Sequence, residues 1–220
     1  MTHTARLGFA LIIIIGACAA LGPIAAGQLK SRPAEEWAAR LERPERVAGL
    51  KIDYIIEKLQ LAPGQVVADI GAGPGVVSIP MAKAVAPGGK VYAVDIDKGF
   101  FDHVDSRAKE QHVTNVVNVL GEFTDPKLPA SDVDVALFHD VLHHIKDRAG
   151  YLKSTATYIK PGGRIAIVEL PADGSHKDEP ELVVTKDQVK QWMADAGFKP
   201  VQEFDGLTER KWFVVYARDH

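Results

Sequence analysis

The fold is decided by the stretch Val66-Val67-Ala68-Asp69-Ile70-Gly71-Ala72-Gly73-Pro74-Gly75. Its first five residues are mostly apolar and β-branched, as in a buried strand, and the apolar run over 76–86 that follows the glycines predicts a helix. In sheets of parallel strands, ligands bind at the carboxyl ends of the strands, beside turns of this kind. Glycines permit the tight turn and let a ligand approach the backbone closely. The stretch therefore predicts a ligand site at the end of a parallel strand.

Segments typical of strands and of helices alternate through the rest of the chain. We expect further strands at 91–94, 116–120, 133–138, 165–168, 201–204 and 212–217, and helices at 100–112, 147–159 and 185–196. This alternation indicates right-handed βαβ units, and the short connection between the last two strands favours their antiparallel pairing. The predicted fold is an α/β, Rossmann-like, doubly wound sheet of about seven strands. It is mostly parallel with an antiparallel C-terminal strand, and helices cover both faces.

Three regions are expected along the chain. Residues 1–30 form a signal, lipoprotein or membrane-anchor segment, and residues 31–46, rich in charge and proline, form a linker with a short helix around 34–41. Residues 47–220 form one domain of ordinary size. At its start, apolar residues from Val47 to Leu59 recur near helical spacing. Pro44 can begin that helix, because the first helical position needs no N–H donor.

The N-terminal segment carries no charged side chain from Leu7 to Leu29. It is consistent with a cleaved secretory signal, with a lipoprotein signal in which Cys18 is lipidated, or with an uncleaved anchor, since ~20 apolar residues span a bilayer. The first two readings place the domain outside the cytoplasm, and we favour export or lipidation. An uncleaved anchor would leave the domain facing the cytoplasm, because basic residues such as Lys30 and Arg32 follow the apolar run.

Composition excludes several classes of function. The net charge of -3 argues against a broad nucleic-acid surface, which needs clustered Lys and Arg. Cys18 is the single cysteine and lies in the N-terminal segment. A disulfide framework and a cysteine-based zinc site are therefore excluded.

The glycines follow the spacing Gly-x-Gly-x-Gly, with Val76 where a dinucleotide-binding turn has its third small residue. Asp69 precedes the first glycine by two positions. Asp95 ends the second predicted strand, where a carboxylate can accept charge-assisted hydrogen bonds from two ribose hydroxyls. The pattern favours a nucleoside ligand but not the usual dinucleotide.

From about Leu50 to the C-terminus, the chain resembles the class I S-adenosylmethionine-dependent methyltransferases of the small type 11 kind. Five ordered motifs carry the resemblance, which makes it far more specific than one glycine turn. They are the glycine motif, Val91-Tyr92-Ala93-Val94-Asp95, Asp134-Val135-Ala136-Leu137-Phe138, Val141-Leu142-His143-His144 and Lys160-Pro161-Gly162-Gly163-Arg164.

The resemblance implies S-adenosyl-L-methionine as cofactor and assigns its contacts. Asp69 and the glycine motif would hold the methionine part, while the strand that follows would hold the ribose and adenine. After the third strand, the family usually has an acidic residue and then a small one near the adenine amino group. This chain departs from that pattern with a longer acid and a bulky neighbour. The cofactor-binding residues so implied are Asp69, Gly71, Ala72, Gly73, Gly75, Asp95, Ile96, Glu122 and Phe123.

Histidines cluster after the fourth predicted strand. His139, His143 and His144 raise the alternative of a metal site, but no cysteine lies nearby to complete a ligand set, and we favour pocket lining with no metal. His139 and Asp140 are the candidate catalytic residues, because the transferable methyl group should lie at this strand end. Either side chain can accept a proton from an incoming nucleophile.

The sequence therefore predicts methyl transfer from S-adenosylmethionine to a small-molecule acceptor by in-line displacement. A sulfonium is already an activated donor, so orientation and exclusion of water are the protein's main tasks. The apolar N-terminus points to membrane association and to a lipophilic acceptor. The alternatives are a cofactor-binding domain without turnover and an NAD-dependent oxidoreductase.

Overall fold

A computed structural model describes residues 33–170, 179, 182–208 and 211–218. The predictions made for residues 1–30 lie outside these ranges. Across the described ranges, we find no helix with both the length and the apolar character needed to cross a membrane.

Within the described ranges, seven strands form one sheet in the order β3-β2-β1-β4-β5-β7-β6. Neighbours from β3 to β5 are parallel, whereas β7 is antiparallel to both β5 and β6. The predicted fold is confirmed, including the antiparallel C-terminal strand. The strands are β1 (Val66–Ile70), β2 (Lys90–Asp95), β3 (Val116–Leu120), β4 (Val133–His139), β5 (Ile159–Glu169), β6 (Phe198–Thr208) and β7 (Lys211–Arg218).

Helices cover both faces of the sheet. Successive strand residues point to opposite faces, so Val67 and Ala68 enter separate apolar clusters. The cluster around Val67 includes Ile55 and Met81, and the cluster around Ala68 includes Leu152. The helices are α1 (Ala34–Leu41), α2 (Pro44–Gly49), α3 (Ile52–Leu59), α4 (Ser78–Ala84), α5 (Phe101–Glu110), α6 (Arg148–Ala156) and α7 (Lys186–Asp195), with short 3-10 helices at Lys98–Phe100 and Leu142–His144.

The segment expected to be a linker instead packs against the domain. Helix α1 has the predicted position, and Glu42 after it forms an ion pair with Arg107 of α5. Pro44 begins α2 as predicted, but the single helix expected to follow it is wrong. Lys51 adopts a left-handed conformation, φ 55°, and separates α2 from α3. Helices α1 and α2 both lie over the end of β1, where Trp37 and Arg46 line the same cavity as Gly71.

Strand β5 begins earlier than predicted. The sequence predicts a helix that ends at residue 159 and a strand at 165–168, with Lys160 to Gly163 between them. These residues instead lie within β5, where the register against β4 jumps between Val133 and Val135. Gly162 has φ 78°, a conformation that glycine adopts readily and that suits a bulge. The irregularity leaves the later half of β5 in regular pairing with β4.

Candidate functional site

A cavity of about 570 Å³ opens at the carboxyl ends of β1, β2 and β4. Its floor is the glycine turn after β1, and α1 and α2 cover it through side chains that include Trp37 and Arg46. The volume is within the usual range for small-molecule and cofactor sites, ~300–1,000 Å³. The location is the strand-end edge that the sequence predicted.

The glycine turn is fixed by hydrogen bonds to the end of β2. The N–H groups of Gly71 and Ala72 both donate to the carbonyl oxygen of Val94, at 2.8 and 2.9 Å. Gly71 has φ 74°, and a Cβ added to it would lie 2.3 Å from Val141 Cγ2. Only glycine meets both constraints, so the turn after β1 depends on this residue.

Asp95 is oriented by two backbone donors. The N–H of Gly73 donates to its Oδ2 at 2.9 Å, and the N–H of Asp97 donates to its Oδ1 at 3.0 Å. Burial raises the pKa of Asp95, and these N–H groups oppose the rise because they favour the charged form. Each carboxylate oxygen can accept a further hydrogen bond. The side chain lines the cavity as an acceptor suited to two adjacent hydroxyls.

Asp69 lies beneath the glycine turn and is 2% exposed. Ser78 of α4 donates its hydroxyl to Asp69 Oδ2 at 2.6 Å. Burial raises the pKa of Asp69 to about 6, against the opposing effect of the Ser78 hydrogen bond. Ile96, which follows Asp95, remains 42% exposed at the cavity wall and offers an apolar surface to a ligand.

Three residues that the resemblance implied as cofactor contacts lie outside the cavity lining. Gly75 faces α5, where an added Cβ would lie 3.1 Å from Val104 Cγ2, so it allows close packing of that helix. Glu122 lies 3.4 Å from the ammonium of Lys127, and Phe123 is 52% exposed. Asp69, Gly71, Ala72, Gly73, Asp95 and Ile96 line the cavity.

The two candidate catalytic residues belong to a buried cluster with Lys211 of β7. The ammonium of Lys211 donates to Asp140 Oδ2 and lies 3.4 Å from His139 Nε2. Burial lowers the pKa of His139 to about 4. Burial alone would raise the pKa of Asp140, but His139, Lys211 and Arg46 together lower it. At neutral pH His139 is therefore a neutral imidazole and Asp140 a carboxylate.

His143 and Glu169 form a buried pair that the sequence did not predict. His143 Nδ1 lies 2.7 Å from Glu169 Oε1, and Glu169 also accepts from the N–H groups of His143 and Leu170. A carboxylate on one ring nitrogen sets the tautomer and orientation of the imidazole. The His143 ring lines the cavity, and its centroid lies 4.0 Å from the centroid of the His144 ring. One feature of the sequence could have pointed to this pair: Glu169 is an acidic residue at the end of the apolar strand β5.

The histidines have separate partners and do not converge. His139 contacts Lys211, whereas His143 contacts Glu169. Among the described residues, no group of three His, Cys, Asp or Glu side chains has an arrangement that could hold a metal ion.

Comparison with known proteins supports the predicted resemblance. Residues 68–167 match the family model of a methyltransferase domain, Methyltransf_11, so the resemblance is confirmed for this part of the chain. The arsenite methyltransferase of Halobacterium salinarum is 25% identical over 153 residues, which are 64% of this chain and 39% of that protein. The ubiquinone biosynthesis O-methyltransferase of Ralstonia nicotianae is 31% identical over 117 residues, 53% of this chain and 47% of that protein.

Solved structures share the fold. A SAM-dependent methyltransferase from Aquifex aeolicus superposes with a TM-score of 0.74 at 22% identity, covering 85% of this chain and 98% of that one. The chain spans less than half the length of the first curated relatives that it matches.

The buried His139 predicts a loss of stability in mild acid. Its pKa is about 4 in the folded protein and about 6.5 in an unfolded chain. The folded state therefore favours the neutral ring. The resulting contribution of His139 to the free energy of unfolding is complete above pH 6.5 and falls as the pH drops toward 4. Between pH 7 and pH 4, the free energy of unfolding should fall by roughly 3 kcal/mol more in the wild type than in His139→Gln. Urea unfolding at several pH values measures the difference.

His112→Asn is the matched control, because His112 is exposed and asparagine tolerates its left-handed backbone, φ 55°. Its pH profile should follow that of the wild type. Parallel profiles for the wild type and His139→Gln would contradict the assignment of a neutral, buried His139.

Proposed function

We propose that this protein is an S-adenosylmethionine-dependent methyltransferase that methylates a small-molecule acceptor by in-line displacement. The observation that carries the proposal is the Asp95 carboxylate, fixed by the Gly73 and Asp97 N–H groups beside the glycine turn. The match of residues 68–167 to a methyltransferase domain supports the choice of this nucleoside over a dinucleotide.

The residues present fit the donor. Asp95 would accept hydrogen bonds from the two ribose hydroxyls, and the exposed face of Ile96 would pack on the adenine. Gly71, Ala72, Gly73 and Asp69 would surround the methionine part, where the absence of Cβ atoms at the glycines lets the ligand approach the backbone. When bound, the donor supplies an activated methyl group on a sulfonium. The protein then has to orient the acceptor and exclude water, for which α1 and α2 provide the cover.

If the substrate is methylated on a hydroxyl, His143 is the best-placed base to remove the hydroxyl proton. Glu169 orients its ring through Nδ1, and the oriented ring lines the cavity, where an imidazole can act as a base. We assign this role to His143 because His139 has a pKa of about 4 and Asp140 has a pKa below its usual range, and both contact Lys211. A base in the cavity also favours turnover over cofactor binding alone.

We further propose that residues 1–30 associate the enzyme with a membrane, where a lipophilic acceptor would be available. The uncharged run from Leu7 to Leu29 supports this. Export or lipidation places the domain outside the cytoplasm, whereas a retained anchor would let it face the cytosolic donor. Protease added to cells stripped of their wall and any outer membrane distinguishes the two: the exported or lipidated form is digested, and a domain facing the cytoplasm is protected. Recovery of the full chain entirely in the soluble fraction would contradict membrane association.

Asp95→Ala should weaken binding of S-adenosylhomocysteine tenfold to a few hundredfold. The change removes hydrogen bonds to a charged group worth ~1.5–3 kcal/mol each, and a tenfold change in affinity corresponds to ~1.4 kcal/mol. Titration calorimetry measures the dissociation constant. Asp102→Ala is the control, because Asp102 is an exposed carboxylate on α5, outside the cavity. An unchanged constant for Asp95→Ala would show that Asp95 is not the ribose ligand.

His143→Asn should lower methyl transfer to a hydroxyl acceptor by ~10²–10⁴-fold, the usual contribution of a general base. The asparagine amide can still donate to Glu169, so the local structure and the affinity for S-adenosylhomocysteine should be retained. The measurement is single-turnover transfer from labelled donor to a panel of phenols and hydroxy acids. Equal rates for the variant and the wild type would remove His143 from the mechanism.

A further inference from the structure

Trp37 and Arg40 of α1 lie at the mouth of the cavity. Both residues line it, and both also line a second hollow of about 400 Å³. The other residues around that hollow, Glu36, Ala39 and Arg43, are exposed. Trp37 and Arg40 therefore lie between the interior of the cavity and the surface of the protein. This position, away from the glycine turn and the end of β2, suits contact with the methyl acceptor rather than with the donor.

Trp37 holds the charge of Arg40 in place. The guanidinium carbon of Arg40 lies 5.6 Å from the centroid of the Trp37 ring, within the ~6 Å range of a cation–π contact. Trp37 is half-buried, whereas Arg40 is exposed. In the part of the chain that the structure describes, no ion pair involves Arg40. Its N–H donors therefore remain for a ligand.

Arg46 of α2 places a second guanidinium in the cavity lining. Its Nη1 donates to the carbonyl oxygen of Leu41 at 3.1 Å. Burial lowers the pKa of Arg46, Asp140 opposes that effect, and the charge of Arg40 adds to it. Arg40 and Arg46 therefore lie close enough to repel each other. An anion bound beside them would relieve this repulsion.

The acidic side chains of the cavity already have partners. Asp95 accepts from two backbone N–H groups, and Asp69 accepts from a hydroxyl of α4. Asp140 accepts from the ammonium of Lys211, and Glu179 is not without a partner either. The two guanidiniums of the cover thus have no carboxylate in an ion pair with them among the described residues. A cleft that presents one sign of charge favours a ligand of the opposite sign.

We propose that the methyl acceptor is a hydroxy acid with an apolar or aromatic body, whose carboxylate binds Arg40 at the mouth of the cavity. This inference rests on the proposed function and names its substrate class. A guanidinium matches a carboxylate with two parallel hydrogen bonds, and Arg46 adds to the positive charge. Trp37, Leu50 and Ile145 line the cavity and offer apolar surface to the body of the acceptor.

The reactive end of the acceptor would then point inward. His143 is buried, whereas Arg40 is exposed, so the acid faces the mouth and the hydroxyl faces the interior. The hydroxyl oxygen forms the bond to the methyl carbon as the carbon–sulfur bond of the donor breaks. The hydroxyl proton goes to His143, and S-adenosylhomocysteine is the leaving group.

Matched pairs of probes test the acid site. 4-Hydroxybenzoate and 4-hydroxycinnamate carry a carboxylate, and 4-hydroxybenzamide and 4-hydroxycinnamamide replace it with a neutral amide of similar size. Calorimetry in the presence of saturating S-adenosylhomocysteine measures the dissociation constant of each probe without turnover. The wild type should bind each acid about tenfold more tightly than its amide, because only the acid makes charge-assisted hydrogen bonds to Arg40. Methyl transfer from labelled donor should show the same preference in KM.

Arg40→Met should weaken binding of both acids about tenfold and leave binding of the amides and of S-adenosylhomocysteine unchanged. Arg40→Lys keeps the charge and should recover part of the lost affinity. Arg43→Met is the matched control, because it removes the same charge from the same cover, but Arg43 is exposed and lies outside the cavity lining. It should bind the acids as the wild type does. Retained affinity for S-adenosylhomocysteine shows that each variant is folded.

Three results would overturn the acid site. The first is a wild type that binds acids and amides equally. The second is an Arg43→Met variant that loses as much affinity for the acids as Arg40→Met, since the positive charge of the cover would then act without a local contact. The third is an Arg40→Met variant that loses affinity for S-adenosylhomocysteine, which would assign Arg40 to the donor. A wild type that binds no S-adenosylhomocysteine overturns the proposed function itself, which separates that failure from failure of the acid site.

Discussion

The site depends on the contact between the glycine turn after β1 and the end of β2. Gly71 and Ala72 donate to the Val94 carbonyl, and Gly73 donates to the next residue, Asp95. Three successive amides therefore fix one strand end against its neighbour, and they do so only because the chain turns without a Cβ at Gly71. Parallel pairing of β1 with β2 brings the two ends to the same edge. The cavity and the orientation of its carboxylate are consequences of this local geometry.

Charge is distributed around the cavity in three groups with different partners. Asp95 is oriented by backbone N–H groups, Asp140 by the ammonium of Lys211, and His143 by the carboxylate of Glu169. Burial raises the pKa of Asp95 against the effect of its backbone donors, whereas the neighbours of Asp140 hold its pKa below its usual range despite burial. The cavity wall therefore carries the Asp95 carboxylate at the end of β2, the Asp140 carboxylate just after β4, and the His143 imidazole in the 3-10 helix that follows. Under the proposed function, this division would let one pocket hold a nucleoside and accept a proton.

The sequence was sufficient where local pattern determines structure. The glycine turn, Asp95 at the end of β2 and the antiparallel β7 follow from spacing and strand alternation, and the structure has them as predicted. It was insufficient where distant segments meet. Lys211 reaches Asp140 across 71 residues and Glu169 reaches His143 across 26, and no periodicity encodes either contact. Arg46 was missed because a break at Lys51 was not foreseen, so α2 was not expected over the cavity.

A crystal structure of the complex with S-adenosylhomocysteine tests the central claim most directly. The account predicts both ribose hydroxyls within hydrogen-bond distance of the Asp95 carboxylate, ~2.5–3.0 Å, and the amino-acid end above Gly71 and Gly73. A ligand bound elsewhere would contradict it. So would a ribose that points away from Asp95 while a side chain fills the space between Asp95 and the glycine turn.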